Sequence, residues 1–372
     1  AFFIKYEFWK NYLDELHKRR IPVYSVSSIF RREQIFFKWY GGTYRNVLKD
    51  FDHLFVQNEA SKRYLSKIGI SRVTVVGDTR FDRVLQIREE AKELPLVEKF
   101  KGTNSFTFVA GSSWGPDEDL FLEYFNNHPE MKLIIAPHVI DENHLVEIIG
   151  KLKRPYVRYT RADERNVLKA DCLIIDCFGL LSSIYRYGEI AYIGGGFGVG
   201  IHNTLEAAVY GIPVIFGPKY QKFMEAVQLL EAKGAYSIKD YDELKTLLDR
   251  FLTDELFLRE TGTNAGYYVT SNAGATEKIM HMINFSICSV DQCEFDIRGQ
   301  YKTLINKESP LSQLSVIEVI LCLLRSFGTL LIAFGSLSNW VVNSLSFYFQ
   351  VDIYSFFDCF DKKKQASTEL YK

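Results

Sequence analysis

Short apolar runs alternate with amphipathic stretches along most of this chain. In the first part, apolar runs predict strands at residues 2–4, 22–26, 54–56 and 73–76. Between them, apolar side chains recur at helical spacing and predict helices at residues 7–20, 35–48, 59–67 and 78–91. Strands that alternate with helices predict βαβ units and a parallel sheet.

The same alternation restarts after a polar segment at residues 93–102, which we interpret as an interdomain linker. The following strands are predicted at residues 106–110, 133–136, 172–175, 190–193 and 214–216. Their nearly continuous hydrophobicity is typical of a parallel sheet that is covered on both faces. We therefore expect an α/β protein with two Rossmann-like domains, residues 1–94 and 103–283, whose ligand binds at the carboxyl ends of the strands in the cleft between them.

The two ends of the chain differ from this pattern. The chain starts at Ala1 without an initiator methionine or a signal peptide, and we interpret the first domain as incomplete at its N-terminus. Residues 284–372 form an unassigned apolar tail; a stretch within it, 316–334, is long enough to span a bilayer but carries two charges. A membrane-associated hairpin and a tail foreign to the fold both stay open.

Composition narrows the function classes. The net charge of the 372 residues is -1, so we expect no nucleic-acid partner. The six cysteines form no CxxC pair, which makes a zinc site unexpected and favours a reducing compartment. A basic stretch, residues 5–45, is either a solvated face or a contact surface for anionic lipid or a phosphorylated substrate.

The strongest chemical signal is a strand, a glycine-rich loop and a helix. The strand at 190–193 leads into the glycine-rich residues 194–200, and a helix is predicted from near Asn203 to Gly211. Glycines let a backbone approach a ligand closely, and a helix N-terminus favours a phosphate. Glu206 could accept hydrogen bonds from ribose hydroxyls, but Asn203 and Glu206 also fit a local capping box.

This unit, GGGF…HNTLEAA…GIPVIFGP, resembles the donor-site signature of the 3-deoxy-D-manno-octulosonic acid (Kdo) transferases, in their Bacteroidetes-like form. Further segments resemble that family in the same order, over about residues 1–283: KYEFW (5–9), GDTRFD (77–82), AGSS (110–113), APH (136–138) and DCFGLL (176–181). Ordered motifs of this kind are more specific than a lone glycine loop.

The resemblance implies a GT-B fold and an inverting glycosyltransferase that moves Kdo from CMP-Kdo to lipid IVA in lipopolysaccharide biosynthesis. The implied partners are CMP-Kdo, lipid IVA and the cytoplasmic face of the bacterial inner membrane. No cofactor is implied because CMP-Kdo is a substrate, and no metal is expected. The Asp-x-Asp pairs at 50/52, 117/119 and 240/242 fall near predicted helix ends, so we interpret them as solvated carboxylates.

Site residues follow from the resemblance position by position. Those implied to contact or line the CMP moiety are Pro137, His138, Phe178, Gly179 and Leu180. Those implied to hold ribose and phosphate are Asn203, Thr204, Leu205 and Glu206. Leu180 stands where the family usually has an acidic residue, so only a backbone role transfers there. From the sequence alone, His138 could equally be an ordinary loop histidine.

Glu7 and Arg80 match family positions that stabilise the transition state. Arg80 could neutralise the leaving phosphate or the Kdo carboxylate, or it could simply pair with Asp78 or Asp82. Glu7 could stabilise the oxocarbenium-like sugar or complement a helix dipole. The general base that the family carries in an N-terminal glycine-rich segment is not in this chain.

Two other functions stay open. One is a GT-B transferase that uses a UDP-sugar, which donor preference would distinguish. The other is a non-catalytic, membrane-associated remnant, which the absent general base and the unassigned tail leave open.

Overall fold

The computed structural model describes residues 1–283 except residues 104 and 199. These residues belong to one compact unit, Ala1–Ser289. The tail at 284–372, with both of its interpretations, lies outside the described residues. Among the described residues, no helix combines the length and the apolar character needed to cross a membrane.

The first sheet forms from the early apolar runs. Its strands are β1 (Phe2–Ile4), β2 (Tyr24–Ser28), β3 (His53–Val56) and β4 (Val73–Val75), and they pair in parallel in that order. The accompanying helices are α1 (Lys10–Lys18), α2 (Gly42–Lys49), α3 (Glu59–Lys67) and α4 (Thr79–Glu89). Leu13 of α1, Leu48 of α2 and Leu65 of α3 are fully buried with Leu54 of β3, so three of these helices share one core.

The predicted helix at 35–48 is wrong in its first half. The structure has a short 3-10 turn, Ile35–Phe37, and α2 begins only at Gly42, the second glycine of the pair. A Cβ on Gly41 would lie 1.9 Å from the Ile35 carbonyl oxygen, so the chain turns back tightly at that position. This close approach requires glycine and ends the helical pattern.

The second sheet contains seven parallel strands in the order β11-β10-β9-β5-β6-β8-β7. They are β5 (Phe106–Ser113), β6 (Met131–Pro137), β7 (Tyr156–Arg158), β8 (Cys172–Ile174), β9 (Ile190–Ile193), β10 (Val214–Phe216) and β11 (Ala235–Ser237). Phe108 and Ala110 face one buried cluster, and Val109 between them faces the other. The sheet is therefore covered on both faces, as the apolar runs predict.

Helices cover both faces of the second sheet. They are α5 (Pro95–Lys101), α6 (Gly115–Asn127), α7 (Glu142–Lys151), α8 (Leu181–Ile184), α9 (Leu205–Ala208), α10 (Met224–Glu231), α11 (Tyr241–Thr253) and α12 (Glu255–Ser271). The chain leaves β5 toward β6 on one side and later returns to β9 on the other. The carboxyl ends of β5 and β9 therefore form the topological switch point, where ligands of such sheets bind.

The segment at 93–102 is not an exposed linker. It contains α5, whose Val97 and Phe100 are fully buried under the second sheet. Its apolar residues recur at helical spacing among polar ones, so the composition indicated a polar linker where the structure has a helix with one buried face. The division into 1–94 and 103–283 stays a prediction.

Helices near the junction cross between the two sheets. α4 follows the last strand of the first sheet, yet Phe81 and Val84 are buried in the core of the second, where Phe81 meets Tyr268 of α12 edge-on at 5.4 Å. A last helix, α13 (residues 275–283), buries Ile279 against Phe55 and Val76 of the first sheet and its loop. Each sheet thus receives a helix from the far side of the junction.

Candidate functional site

Glycines bring the strand ends together at the switch point. A Cβ on Gly194 would lie 2.2 Å from the Ser112 carbonyl oxygen, and one on Gly196 would lie 2.6 Å from the Cα of Gly217. The end of β5 and the residues that follow β9 and β10 are therefore in backbone contact. Close packing of the backbone therefore explains why positions 194 and 196 are glycines, and no bound ligand is needed for that explanation.

A buried carboxylate joins the same loops. Asp117 of α6 is 1% exposed and accepts hydrogen bonds from the Trp114 amide at 3.0 Å, the Gly195 amide at 2.9 Å and the Tyr192 hydroxyl at 2.8 Å. Burial raises its pKa, although these bonds oppose the shift. The prediction of a solvated pair is wrong for Asp117, whereas Asp119 is exposed and pairs with a lysine.

Three aromatic rings stack above the strand ends. His138, after β6, lies 4.7 Å from the Trp114 ring and 4.3 Å from the His202 ring, centroid to centroid. The Trp114 indole N–H donates to His202 Nε2 at 3.2 Å. Of these, the sequence prediction named only His138. Trp114 and His202 were given no role there, although Trp114 directly follows the AGSS segment and His202 is the first residue of HNTLEAA.

The two histidines are neutral near pH 7. Burial, followed by the neighbouring His138, lowers the pKa of His202 from 6.5 to about 4. Burial also lowers the pKa of His138, which is the exposed end of the stack. The stack therefore offers a flat, uncharged ring face to solvent, beside Pro137 at the end of β6.

The loop before α9 is capped locally. Asn203 Nδ2 donates to Glu206 Oε1 at 2.9 Å, and Asn203 Oδ1 accepts from the Leu205 amide at 3.2 Å. Burial raises the pKa of Glu206, against the effect of Asn203. The local cap that the sequence offered as an alternative is therefore present. However, α9 has only four residues, and so short a helix supplies little of the dipole that would favour a phosphate.

The remaining residues of this motif point inward. Leu205 is fully buried in the core of the second sheet, so its side chain cannot hold ribose or phosphate and only its backbone is available. Thr204 is 1% exposed, and its hydroxyl oxygen has no hydrogen-bond partner among the described residues.

The loop after β8 is anchored by its aspartate. Asp176 accepts from the amide and hydroxyl of Thr160 at 2.8 and 2.6 Å and from Arg158 Nε at 2.8 Å. Burial would raise the pKa of Asp176, but these bonds outweigh it and lower the pKa. Phe178 is 80% exposed, Gly179 adopts a φ of 83°, and Leu180 packs partly on the core. The first two are presented to solvent, as a lining role requires.

Arg80 lies between two buried carboxylates. Its Nη2 is 2.7 Å from Asp78 Oδ2, and its Nη1 donates to Glu225 Oε1 of α10 at 2.6 Å. The pair with Asp78 matches the structural alternative, whereas Asp82 instead accepts from Thr276. Burial lowers the pKa of Arg80, but the bonds to Glu225 and Asp78 raise it above its usual value. No pattern in the sequence points to Glu225, which is 145 residues away from Arg80.

Glu7 lies at the end of the first sheet. Its carboxylate accepts from the Trp9 indole N–H. Because α1 begins at Lys10, Glu7 is outside the first helical turn and the dipole alternative is wrong. No contact among the described residues joins Glu7 to Arg80. In the same part of the chain, no group of three or more His, Cys, Asp or Glu side chains could hold a metal ion.

Comparisons with known proteins agree with these observations. Residues 1–83 match the family model described as 3-Deoxy-D-manno-octulosonic-acid transferase (kdotransferase). The chain is 30% identical over 211 residues to the 3-deoxy-D-manno-octulosonic acid transferase of Aquifex aeolicus, covering 55% of each protein. It is 26% identical over 300 residues to that of Rickettsia typhi, covering 76% of this chain and 62% of that protein. It thus spans 55% and 62% of the lengths of these two relatives.

A solved structure supports the fold. The UDP-GlcNAc 2-epimerase from Neisseria meningitidis, bound to UDP-GlcNAc, has a TM-score of 0.50 and 16% identity, with 72% of each chain covered. At this identity the likeness concerns only the fold, which is the expected GT-B type with two Rossmann-like parallel sheets. Together with the ordered motifs, the family model and the curated relatives show that this chain is similar to the Kdo transferases.

Proposed function

We propose that this chain is an inverting glycosyltransferase that moves Kdo from CMP-Kdo to lipid IVA in lipopolysaccharide biosynthesis. The observation that carries the proposal is the 4.3 Å stack of His138 on His202. It joins the loop after β6, which the family resemblance assigns to the CMP moiety, to the loop after β9, which the resemblance assigns to ribose and phosphate. The names of the curated relatives support the coarser part of this proposal, the transfer of Kdo.

The nucleotide would lie along the carboxyl ends of β6, β8 and β9. The exposed face of His138 suits a nucleobase, because flat rings stack favourably on one another. Phe178 and Gly179 would line the other side. Glu206 would accept hydrogen bonds from ribose hydroxyls, and the backbone of Asn203 would contact the phosphate. No metal is needed in this proposal, because hydrogen-bond donors of the protein would stabilise the phosphate.

Arg80 would act on charge that develops during transfer. Breaking a glycosyl phosphate leaves negative charge on the phosphate and positive charge on the sugar. Arg80 would stabilise the first and Glu7 the second. Asp78 and Glu225 engage three nitrogens of a guanidinium that has five N–H groups. Two N–H groups therefore have no partner among the described residues and could reach an oxyanion. No described residue is assigned to deprotonate the acceptor.

The first sheet and its helices would meet the lipid acceptor. Five aromatic side chains here are more than half exposed: Trp9, Tyr12, Trp39, Tyr40 and Tyr44. Amphipathic rings of this kind sit well at a membrane–water interface, and the basic stretch that contains them would attract anionic headgroups. We infer peripheral binding at the cytoplasmic face of the inner membrane.

Calorimetric titration of the full chain with CMP, in the presence of EDTA, tests the donor site. We expect CMP to bind more tightly than UDP and Glu206→Ala to weaken it at least about tenfold. Glu231→Ala, which removes an exposed carboxylate at the end of α10, is the matched control and should bind like the wild type.

The other outcomes contradict the proposal in different ways. Preference for UDP would favour a UDP-sugar transferase. An absence of binding by a folded sample would favour a non-catalytic remnant. Loss of CMP binding on addition of EDTA would contradict metal independence. Transfer of Kdo to lipid IVA by the same preparation would test the acceptor.

A further inference from the structure

His202 occupies a central place at the switch point. It lies between the glycine-rich loop and α9, and its backbone amide donates to the Gly194 carbonyl at 3.2 Å. One face of its ring stacks on His138. Its Nε2 accepts the indole N–H of Trp114 at 3.2 Å. The ring is thus held from the loops after β5, β6 and β9.

The contact with Trp114 fixes which ring nitrogen carries the proton. An indole N–H can only donate, so Nε2 of His202 must be the unprotonated nitrogen. A neutral imidazole has one N–H, and His202 is neutral at physiological pH because burial holds its pKa near 4. The proton is therefore on Nδ1, which becomes a hydrogen-bond donor of fixed direction.

That donor has no acceptor among the described residues, and its neighbours share this property. Neither the Asn203 amide nor the Thr204 amide donates to a described protein group, and the Thr204 hydroxyl is buried without a partner. Buried polar groups are nearly always hydrogen-bonded in folded proteins. Of the four groups, the Thr204 hydroxyl is the one that the structure shows to be buried without a partner. It and three further unpartnered donors lie within three consecutive residues, and together they indicate a ligand that accepts.

We propose that His202 is a nucleotide-binding residue whose Nδ1–H donates to the phosphate of the sugar-nucleotide donor, and that Trp114 is the positioning residue that fixes this tautomer. The inference rests on the proposed function and adds a phosphate contact to it. A phosphate oxygen only accepts, which matches a set of donors better than a ribose hydroxyl does. The Nδ1–H of His202 would also stabilise the phosphate in place of the helix dipole, of which the four-residue α9 supplies little.

Amide substitutions separate the two ring nitrogens. The side-chain nitrogen of His202→Asn can occupy the place of Nδ1, whereas His202→Gln places its amide near Nε2 and leaves Nδ1 without a substitute. We expect His202→Gln to weaken CMP about tenfold or more, since hydrogen bonds to charged groups are the stronger ones. His202→Asn should restore much of that loss. Binding of cytidine, which has no phosphate, should change little in either variant.

The tautomer is measured independently of any ligand. Long-range proton–nitrogen correlation spectra of the full chain, labelled with nitrogen-15, distinguish protonated from unprotonated ring nitrogens. We expect a protonated Nδ1 in His202 of the wild type and a mixture of tautomers in Trp114→Phe, which keeps an aromatic ring but removes the indole N–H. His17→Gln, which changes an exposed histidine of α1, is the control.

The possible results distinguish a failure of this inference from a failure of the proposed function. A protonated Nε2 in the wild type, or equal CMP affinity in His202→Gln and the wild type, would overturn the inference. Equal weakening of CMP and cytidine would do the same, because the ring would then matter only for stacking. A wild type that shows the expected tautomer but binds no CMP would overturn the proposed function instead.

Discussion

Replacing Asp117 by alanine should destabilise the second sheet domain and loosen the switch point. The carboxylate accepts from the Trp114 and Gly195 amides and from the Tyr192 hydroxyl. Tyr192 is fully buried, so water cannot easily replace the lost acceptor. The substitution leaves three donors without partners and separates the loop after β5 from the glycine-rich loop.

The magnitude follows from these contacts. Hydrogen bonds to a charged group contribute about 1.5–3 kcal/mol each, so three at the lower value contribute about 4.5 kcal/mol. Part of this is offset because alanine removes a carboxylate whose pKa is raised by burial. We expect a net loss of about 3 kcal/mol from the free energy of unfolding. Asp117→Asn should lose less, since its amide oxygen still accepts.

Urea unfolding followed by far-UV circular dichroism measures this loss. Asp119→Ala is the matched control, because Asp119 lies two residues further along α6 and its one contact within the described part of the chain is an exposed ion pair with Lys151. Such pairs contribute about 0–1 kcal/mol. If the two alanine variants unfolded at the same urea concentration, the view that Asp117 holds these loops together would be refuted.

Three further predictions concern other parts of the same region. Gly196→Ala should destabilise the protein by about 1–3 kcal/mol, because the added Cβ would collide with backbone atoms of Gly217. Gly150→Ala in α7 should instead stabilise it by about 0.5–1 kcal/mol, because the added Cβ meets open space within a helix. The unfolding temperatures of the two variants test this difference in sign. Because the pKa of His202 is lowered in the folded chain, its imidazole is protonated between about pH 6.5 and 4 only in the unfolded chain. The free energy of unfolding therefore falls as the pH falls through this range. From about pH 7.5 to 5 this amounts to about 2 kcal/mol, or about 1 kcal/mol after allowance for solvent screening, and urea titrations should show that His202→Asn lacks it. Glu225→Ala should cost about 1–3 kcal/mol in the same assay, because it breaks a largely buried pair with Arg80.

The sequence predicts all four strands of the first sheet and five of the seven in the second, because those strands are apolar runs. It does not predict the two short edge strands, β7 and β11. Strand order in the second sheet follows from the Rossmann-like pattern, whose crossovers are strongly constrained. The pattern fails where tertiary packing decides. Polar residues between 93 and 102 conceal a buried helix, and the helical spacing of α4 does not reveal that Phe81 packs under the second sheet rather than the first.

The sequence predicts contacts of the site residues only with partners that lie a few positions away. Asp78 is two positions from Arg80, so their ion pair was an evident alternative, but Glu225 approaches from a distant helix. Likewise, His138 and His202 are 64 positions apart and meet only because β6 and β9 flank β5. A motif names candidates, whereas the sheet order determines which of them touch.

The charges around Arg80 constrain how it can act. Arg80 is matched by Asp78 and Glu225, and Lys5 is near enough for all three to influence its pKa, which burial lowers. With each group ionised, two positive and two negative charges cancel, so the cluster has no net field to attract a phosphate. Arg80 would therefore stabilise an oxyanion through the direction of its free N–H groups. A guanidinium can hold two carboxylates and still present such donors, which a lysine ammonium at the same position could not do in a fixed plane.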